Sequence, residues 1–316
     1  MSATADRILP VKVAFFGTPE FAVPSLKAIL DSRHEVVLVV AQPDRPAGRG
    51  MKLRKPPVAE LAVALGIPLA QPARIRNEEM LETVRASGCE LAVVVAYGKI
   101  LPAALLEIPH HGFINVHASL LPKYRGAAPI QRAIESGERM TGVTIMRIDE
   151  ELDHGPMFAK AEVSIGPDER APSVAARLAE AGGRILVEQL DRIEAGTAVE
   201  TPQDHAAATH AAKIDKGEGR VDWQSSSKAL YDRFRAFDPW PGLYAEIRGE
   251  VVKLTEIAPV EERGKPGTLL HAGEDAVVAC GEGALRLRLL QRPGKRPAHA
   301  PDVLRGLGIG PGDALA

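Results

Sequence analysis

Residues 112–126 read GFINVHASLLPKYRG, an apolar run that carries Asn115 and His117 two positions apart. Side chains alternate along an extended chain, so this amide and imidazole project from one face. Both bring N–H donors, and two donors aimed at one oxygen polarise a carbonyl under attack and hold the oxyanion that forms. The plainer alternative makes Asn115 a turn residue and His117 a hydrogen-bonded core histidine. A third group stands in DEELDHGPM, residues 149–157, where Asp153 lies just before a Gly-Pro pair. A carboxylate there has the reach to hold the imidazole tautomer and stabilise its charged form. An ordinary turn aspartate is the competing reading. After His117 the chain breaks into Ser119, Leu120, Leu121 and Pro122. The proline stiffens this turn and leaves its backbone groups for a flat heterocyclic ligand.

Other constellations carry less. FFGTPEF, residues 15–21, has the place of a phosphate turn but lacks G-x-G-x-x-G and the P-loop lysine. His110, His111 and His117 could suggest a metal, but adjacent histidines of an extended chain point apart and no carboxylate completes a usual spacing, so no metal is expected. There is no G-x-S-x-G elbow.

Two basic stretches remain. QPDRPAGRGMKLRKPP, residues 42–57, holds Arg45, Arg49, Lys52, Arg54 and Lys55 against Asp44 alone. It follows an apolar run and exceeds the about two to six residues usual for a strand-to-helix loop. ALRLRLLQRPGKR, residues 284–296, holds Arg286, Arg288, Arg292, Lys295 and Arg296 with no acid among them. Charge runs are commonly solvated faces, but two of them, one beside the predicted crevice, favour a polyanion such as RNA.

The elements that must position these groups follow from hydrophobic patterning. Apolar runs at 11–17, 34–42, 91–98 and 112–117 are separated by helical segments, which predicts a parallel sheet covered on both faces. In such a sheet ligand crevices form at the carboxyl ends of strands, where Asn115 and His117 fall. Residues 127–137 predict a short helix ended by Gly137, 141–149 a further strand, and 173–196 a long helix with Ser173 as N-cap and Gly196 at its end. The pattern dissolves over 197–215. After a helix at 225–237 come five short strands broken by Gly and Glu turns, which predict a small antiparallel barrel. The fold class is therefore α/β: a Rossmann-like parallel-sheet N-terminal domain plus a smaller OB-like β-barrel C-terminal domain. The expected limits are 1–196, a linker at 197–215, and 216–316.

At 316 residues, 45% hydrophobic and 25% charged, the chain has the make-up of a soluble, well-cored protein of two domains. A net charge of -2 leaves polyanion binding to local patches. Cys89 and Cys280 lie in apolar runs and are expected to be buried free thiols. No apolar run reaches the roughly 18 residues of a spanning helix, and MSATADRILP lacks a signal-peptide core. A cytoplasmic protein without membrane contact is expected, and a monomer with no obligate protein partner.

NVHASLLPKYRGAAPIQRAI together with LDHGPMF resembles the folate-dependent formyltransferases that use 10-formyltetrahydrofolate. FFGTPEFAVPSLKAIL, QPDRPAGRGMKL, RVDW, RAFDPWPG and LLQRPGKRP extend the resemblance to nearly the whole chain. They are similar to the branch whose acceptor is initiator Met-tRNA, with its basic insert and added barrel. The shorter relatives that formylate a purine precursor lack both features. The resemblance implies 10-formyltetrahydrofolate as co-substrate, with Asn115, His117 and Asp153 as the catalytic triplet. It implies a folate site lined by Ser119, Leu120, Leu121 and Pro122. Arg45, Arg49, Lys52, Arg54 and Lys55 of the loop would meet the tRNA, joined by Arg292, Lys295 and Arg296 of the barrel, which match in character rather than identity. The residue after Asp153 varies in the family, so His154 receives no role. On sequence alone three other readings stay open: a formylfolate hydrolase or sugar or purine-precursor formyltransferase, a nucleotide-dependent oxidoreductase, and a non-enzymatic RNA-binding protein.

Overall fold

The computed structural model describes residues 10–47 and 52–315, and the chain divides into two compact units. The first comprises Met1–Pro129, Met140–Ser164 and Ala175–Ala211; the second Ile130–Arg139, Ile165–Val174 and Ala212–Ala316.

The elements from β1 to β11 are, in chain order, β1 (Lys12–Gly17), α1 (Val23–Leu30), β2 (Glu35–Val40), β3 (Arg45–Ala47), β4 (Lys52–Arg54), α2 (Pro57–Ala64), β5 (Leu69–Ala70), α3 (Glu78–Ser87), β6 (Leu91–Val95), α4 (Ala103–Leu106), β7 (Phe113–His117), β8 (Arg125–Gly126), α5 (Pro129–Glu135), β9 (Met140–Arg147), β10 (Met157–Ser164), α6 (Ala171–Glu194) and β11 (His210–Ala211). Seven strands of the first unit form one sheet in the order β10-β9-β7-β6-β1-β2-β5. The five from β5 to β7 are parallel, as the uninterrupted apolar runs of β1, β2, β6 and β7 predict. Val13, Ala14, Phe15 and Phe16 of β1 are all fully buried. Burial of each larger one stabilises by about 1.5–3 kcal/mol relative to exposure. Phe16 also meets the Tyr97 ring edge-on at 5.6 Å.

The sheet departs from expectation at its far side, because β9 runs antiparallel to β7 and β10 antiparallel to β9. Residues 141–149 were expected as a strand; the hairpin that β10 completes was not. The strand order reverses between β1 and β6, so the carboxyl ends of these strands flank the place where open α/β sheets form their crevice. Helix α6 begins at Ala171, so Ser173 is not the N-cap; it lies in the first turn, and its hydroxyl donates to Glu169 at 2.7 Å. The helix closes on β7 through Gly182, where a Cβ would stand 2.8 Å from Val116.

The second unit continues with α7 (Ser227–Ala236), β12 (Leu243–Ile247), β13 (Glu250–Val260), β14 (Leu269–Ala272), β15 (Ala276–Ala279), β16 (Ala284–Gln291), β17 (Ala298–His299) and α8 (Ala300–Gly306). Ser226 caps α7, its hydroxyl oxygen accepting from the Ala229 N–H at 3.1 Å. The sheet is antiparallel throughout, in the order β12-β13-β16-β15-β14, with β17 beside β16. Leu285, Leu287 and Leu290 of β16 are buried while Arg286 and Arg288 face water, the alternation of a sheet with one wet face. Cys89 and Cys280 are free and buried, and burial pushes the Cys280 thiol up to about 11. Among the described residues no helix is long and apolar enough to cross a membrane.

Candidate active site

Asn115 and His117 do share a face of β7, and both turn toward Asp153. The loop between β9 and β10 folds back so that Asp153 Oδ1 lies 3.4 Å from Asn115 Nδ2. Its Oδ2 lies 3.6 Å from His117 Nδ1 and accepts from the Gly126 N–H at 2.8 Å. His117 Nε2 is 2.9 Å from the Tyr124 carbonyl oxygen, so both ring nitrogens face oxygen acceptors. The His117 and Asp153 side chains are only 6% and 11% exposed, which leaves little water to screen them. One carboxylate thus gathers an amide, an imidazole and a backbone N–H at the end of a parallel strand.

The backbone here is held in unusual shapes. Among the described residues four non-glycine residues have positive φ, and Tyr124 (60°), Asp153 (50°) and Ala96 (47°) are three of them. Tyr124 and Asp153 flank His117, and Ala96 directly follows β6. Such conformations cost about 1–3 kcal/mol each and persist where surrounding contacts over-determine them, which happens most at functional sites. Gly126 (φ 120°) adopts a shape open to glycine, and a Cβ there would also lie 2.7 Å from the Ala211 carbonyl oxygen.

The turn at 119–122 is more closed than its sequence suggests. Ser119 and Leu121 are fully buried, whereas Leu120 and Pro122 are partly exposed. The Leu121–Pro122 bond is cis. Thr144 Oγ1 donates to the Ser119 carbonyl at 2.7 Å and accepts from the Leu121 N–H at 3.1 Å. Lys160 Nζ donates to the Leu121 carbonyl, and the Leu120 and Pro122 carbonyls accept from the Lys123 and Thr209 N–H groups. A ligand beside this turn would meet the outer side of Leu120 and Pro122 and the second lone pairs of these carbonyls.

Sequence reasoning missed Arg125, Gln203 and His205, which hold the Asp153 loop from outside. Only Arg125 stands in a quoted motif; Gln203 and His205 lie in the stretch read as a linker. His110 and His111, expected to point apart, have ring centroids 3.9 Å apart. Among the described residues no three His, Cys, Asp or Glu side chains are grouped to hold a metal ion.

The first basic stretch is not a structureless loop. β3 and β4 form an antiparallel hairpin that pairs Arg45 with Arg54 and Ala47 with Lys52. Lys52 and Arg54 are exposed, Leu53 between them is 69% exposed, and Lys55 lies 3.5 Å from Asp44. Arg45 donates to Gln42 Oε1. Arg49 falls outside the described residues. The second stretch, acid-free in sequence, is answered by acids of other strands and turns. Arg292 makes a two-pronged pair with Glu250 at 2.6 and 2.9 Å, and this bonding holds the Glu250 carboxyl below its ordinary range. Arg288 meets Glu256 at 3.0 Å, and Arg286 meets Asp275 at 3.9 Å. Lys295 and Arg296 are exposed and pair with no carboxylate among the described residues.

A seven-stranded α/β sheet with this polar cluster at β7, followed by an antiparallel domain, is the architecture of a formyltransferase. The formyl transferase family model matches residues 11–190, and the model of the formyl transferase C-terminal domain matches 213–308. The chain is 49% identical over 305 residues to the methionyl-tRNA formyltransferase of Aromatoleum aromaticum, covering 96% of each. It is 49% identical over 306 residues to a methionyl-tRNA formyltransferase of Thermus thermophilus, covering 96% of this chain and 99% of the relative. The chain belongs to the methionyl-tRNA formyltransferase family. Among solved structures, HypX from Aquifex aeolicus in complex with tetrahydrofolic acid shares the fold at TM-score 0.64 and 20% identity, over 95% of this chain and 48% of that one.

Proposed function

We propose that this enzyme transfers the formyl group of 10-formyltetrahydrofolate to the free amino group of methionine carried by initiator Met-tRNA. The reaction supplies the formylated initiator for translation, in the cytoplasm, and the enzyme acts as a monomer. The observation that carries this reading is the meeting of Asn115 and His117 on Asp153 at the end of β7, in a chain of this family. Residues 1–196 form the catalytic domain, 197–215 the linker and 216–316 the tRNA-binding domain.

In this reading the neutral α-amine attacks the formyl carbon, and negative charge builds on the formyl oxygen. Asn115 has a second amide hydrogen that its long bond to Asp153 leaves unused, and this hydrogen donates to the oxyanion. His117 donates alongside it by exchanging one of its two present acceptors. Asp153 keeps the imidazole oriented and helps take up the proton the amine loses. As the tetrahedral intermediate collapses, the bond to folate N10 breaks and tetrahydrofolate leaves protonated. The pterin lies against Leu120 and Pro122, with Ser119 and Leu121 supporting the turn from the interior. Arg45, Arg49, Lys52, Arg54 and Lys55 approach the tRNA, and in the second domain Lys295 and Arg296 do so more freely than the paired Arg292. No metal takes part.

The test is transfer of a labelled formyl group from 10-formyltetrahydrofolate to Met-tRNA, run beside free methionine and a small amine. Formylation confined to Met-tRNA supports the proposal. Folate turnover indifferent to Met-tRNA would overturn the acceptor, and no turnover at all would overturn the chemistry.

A further inference from the structure

The stretch 197–211 is bound closely to the first unit. Thr201 and Met157 exchange two backbone hydrogen bonds of 2.8 Å, and β11 pairs in parallel with β8. Between these anchors Gln203 is buried to 5% exposure. Its Nε2 donates to the Asp153 carbonyl at 2.9 Å and to the Gly155 carbonyl at 2.8 Å. Its Oε1 accepts from Arg125 Nε at 3.2 Å and Nη2 at 2.7 Å. Both donors and both acceptor positions of the amide are therefore used.

This pattern fixes the amide's orientation. A guanidinium can only donate, so the amide oxygen must face Arg125 and the NH2 must face the two carbonyls. Arg125 is itself buried, and Nη2 also reaches His205 Nδ1 at 2.9 Å. The His205 ring stacks on His154 at 4.1 Å, and His154 Nδ1 lies 2.8 Å from Asp149. Asp153 is thus gripped twice, its carboxylate by the Gly126 N–H and its carbonyl by Gln203. A left-handed aspartate needs such a grip, since alone it would relax by about 1–3 kcal/mol into an ordinary conformation.

We infer that Gln203 is a positioning residue for the transfer reaction. Oriented by Arg125, it fixes the backbone of Asp153 and so aims the carboxylate at Asn115 and His117. The inference rests on the catalytic reading of that triplet, and it assigns a function to a stretch that otherwise reads as a connector.

The experiment compares Gln203→Met, Asp153→Asn and the double variant with the parent enzyme, using steady-state kinetics in both substrates. Gln203→Met is expected to lower kcat by about 10- to 100-fold, the scale of a misplacement near 1 Å. KM for Met-tRNA and for 10-formyltetrahydrofolate should stay within about threefold, because the missing interaction acts in the chemical step. The double variant should be no slower than Asp153→Asn beyond about twofold, because both changes act through one carboxylate. Gln203→Glu guards against simple unfolding: it keeps the volume and an ion pair to Arg125 but loses both donors, and it should show the same kcat loss. Parent-like kcat for folded Gln203 variants while Asp153→Asn is crippled would overturn the inference and leave the triplet standing. So would losses that multiply in the double variant. Full activity of Asp153→Asn would instead remove the triplet reading, and the inference with it.

Discussion

Replacing Asp153 by Asn removes one charge while keeping the shape of the site. The carboxylate touches three donors, so the new amide must turn its NH2 toward one of them. Directed at Gly126, it would oppose a 2.8 Å hydrogen bond; directed at Asn115, it opposes only a 3.4 Å approach. The amide therefore keeps its oxygen on Gly126 and lets go of Asn115, so the loop stays folded. What disappears is the carboxylate that orients the His117 imidazole from 3.6 Å, together with the acceptor that holds the Asn115 amide at 3.4 Å. With both donors loosened, the loss is on the scale of one oxyanion donor, about 10²–10³, or about 3–4 kcal/mol at about 1.4 kcal/mol per decade. The assay is single-turnover transfer from saturating 10-formyltetrahydrofolate to Met-tRNA already bound to excess enzyme, which separates chemistry from binding and release. The rate should fall by about 10²–10³ with Met-tRNA affinity unchanged and the melting temperature within a few degrees of the parent. A single-turnover rate within tenfold of the parent would show that the carboxylate does not act on His117 during transfer.

Gly155→Ala should be damaging in a different way, since a Cβ there would stand 2.2 Å from the Arg147 carbonyl oxygen. The loop must move, and a thermal melt should register about 1–3 kcal/mol of destabilisation together with at least a tenfold loss of rate; a parent-like melt would contradict the packing. For the hairpin, neutralising Lys52 and Arg54 together should lower kcat/KM for Met-tRNA and flatten its salt dependence. In a log–log plot the slope should change by about 0.7–0.9 for each phosphate the hairpin no longer neutralises. An unchanged slope would mean that the hairpin does not meet phosphates. Acid should destabilise the fold through His34, whose buried Nδ1 accepts the Val11 N–H at 3.2 Å. Burial pushes this imidazole below its ordinary value, outweighing the opposing pull of Asp191. The unfolded chain takes up a proton near pH 6.5 while the folded one resists, so this stability is full above that pH and declines as pH falls below it. The slope is at most about 1.4 kcal/mol per pH unit. Chemical denaturation from pH 7.5 to 5.5 should show a shallower decline for His34→Gln, and an identical decline would refute the assignment.

The parallel core was legible because strands buried on both faces need unbroken apolar runs, and β1, β2, β6 and β7 each lie within one. Strand direction has no such signature. The residues of β9 read as a strand, but nothing in MTGVTIMR says whether it runs with or against β7. That depends on the path of the connection through α5, which no local pattern discloses. β10 was missed because its edge position leaves a mixed, half-wet pattern, and β5 because two residues carry no period. The β3–β4 hairpin was hidden for a related reason: glycine, proline and basic residues mark a loop by composition even when the backbone pairs.

The site was legible up to the reach of a local rule. Two-residue periodicity put Asn115 and His117 together, and an aspartate before Gly-Pro announced a turn able to return a carboxylate. Beyond that the positioning is tertiary. Gln203 meets Arg125 across 78 positions and Asp153 across 50, so no window contains both partners. The C-terminal basic stretch erred in the opposite sense. With no acid in its own window it looked like a free patch, until β13 and the turn before β15 brought Glu250, Glu256 and Asp275 to it. A charge read from sequence is therefore only an upper bound on what a partner can use. Applied to the two basic stretches, that bound falls unequally. Arg292 is already committed to Glu250, whereas Lys52 and Arg54 project from a hairpin with Leu53 exposed between them. If tRNA binding is electrostatic, substitutions in the hairpin must weaken it more than Arg292→Ala, whose first effect is to release a carboxylate.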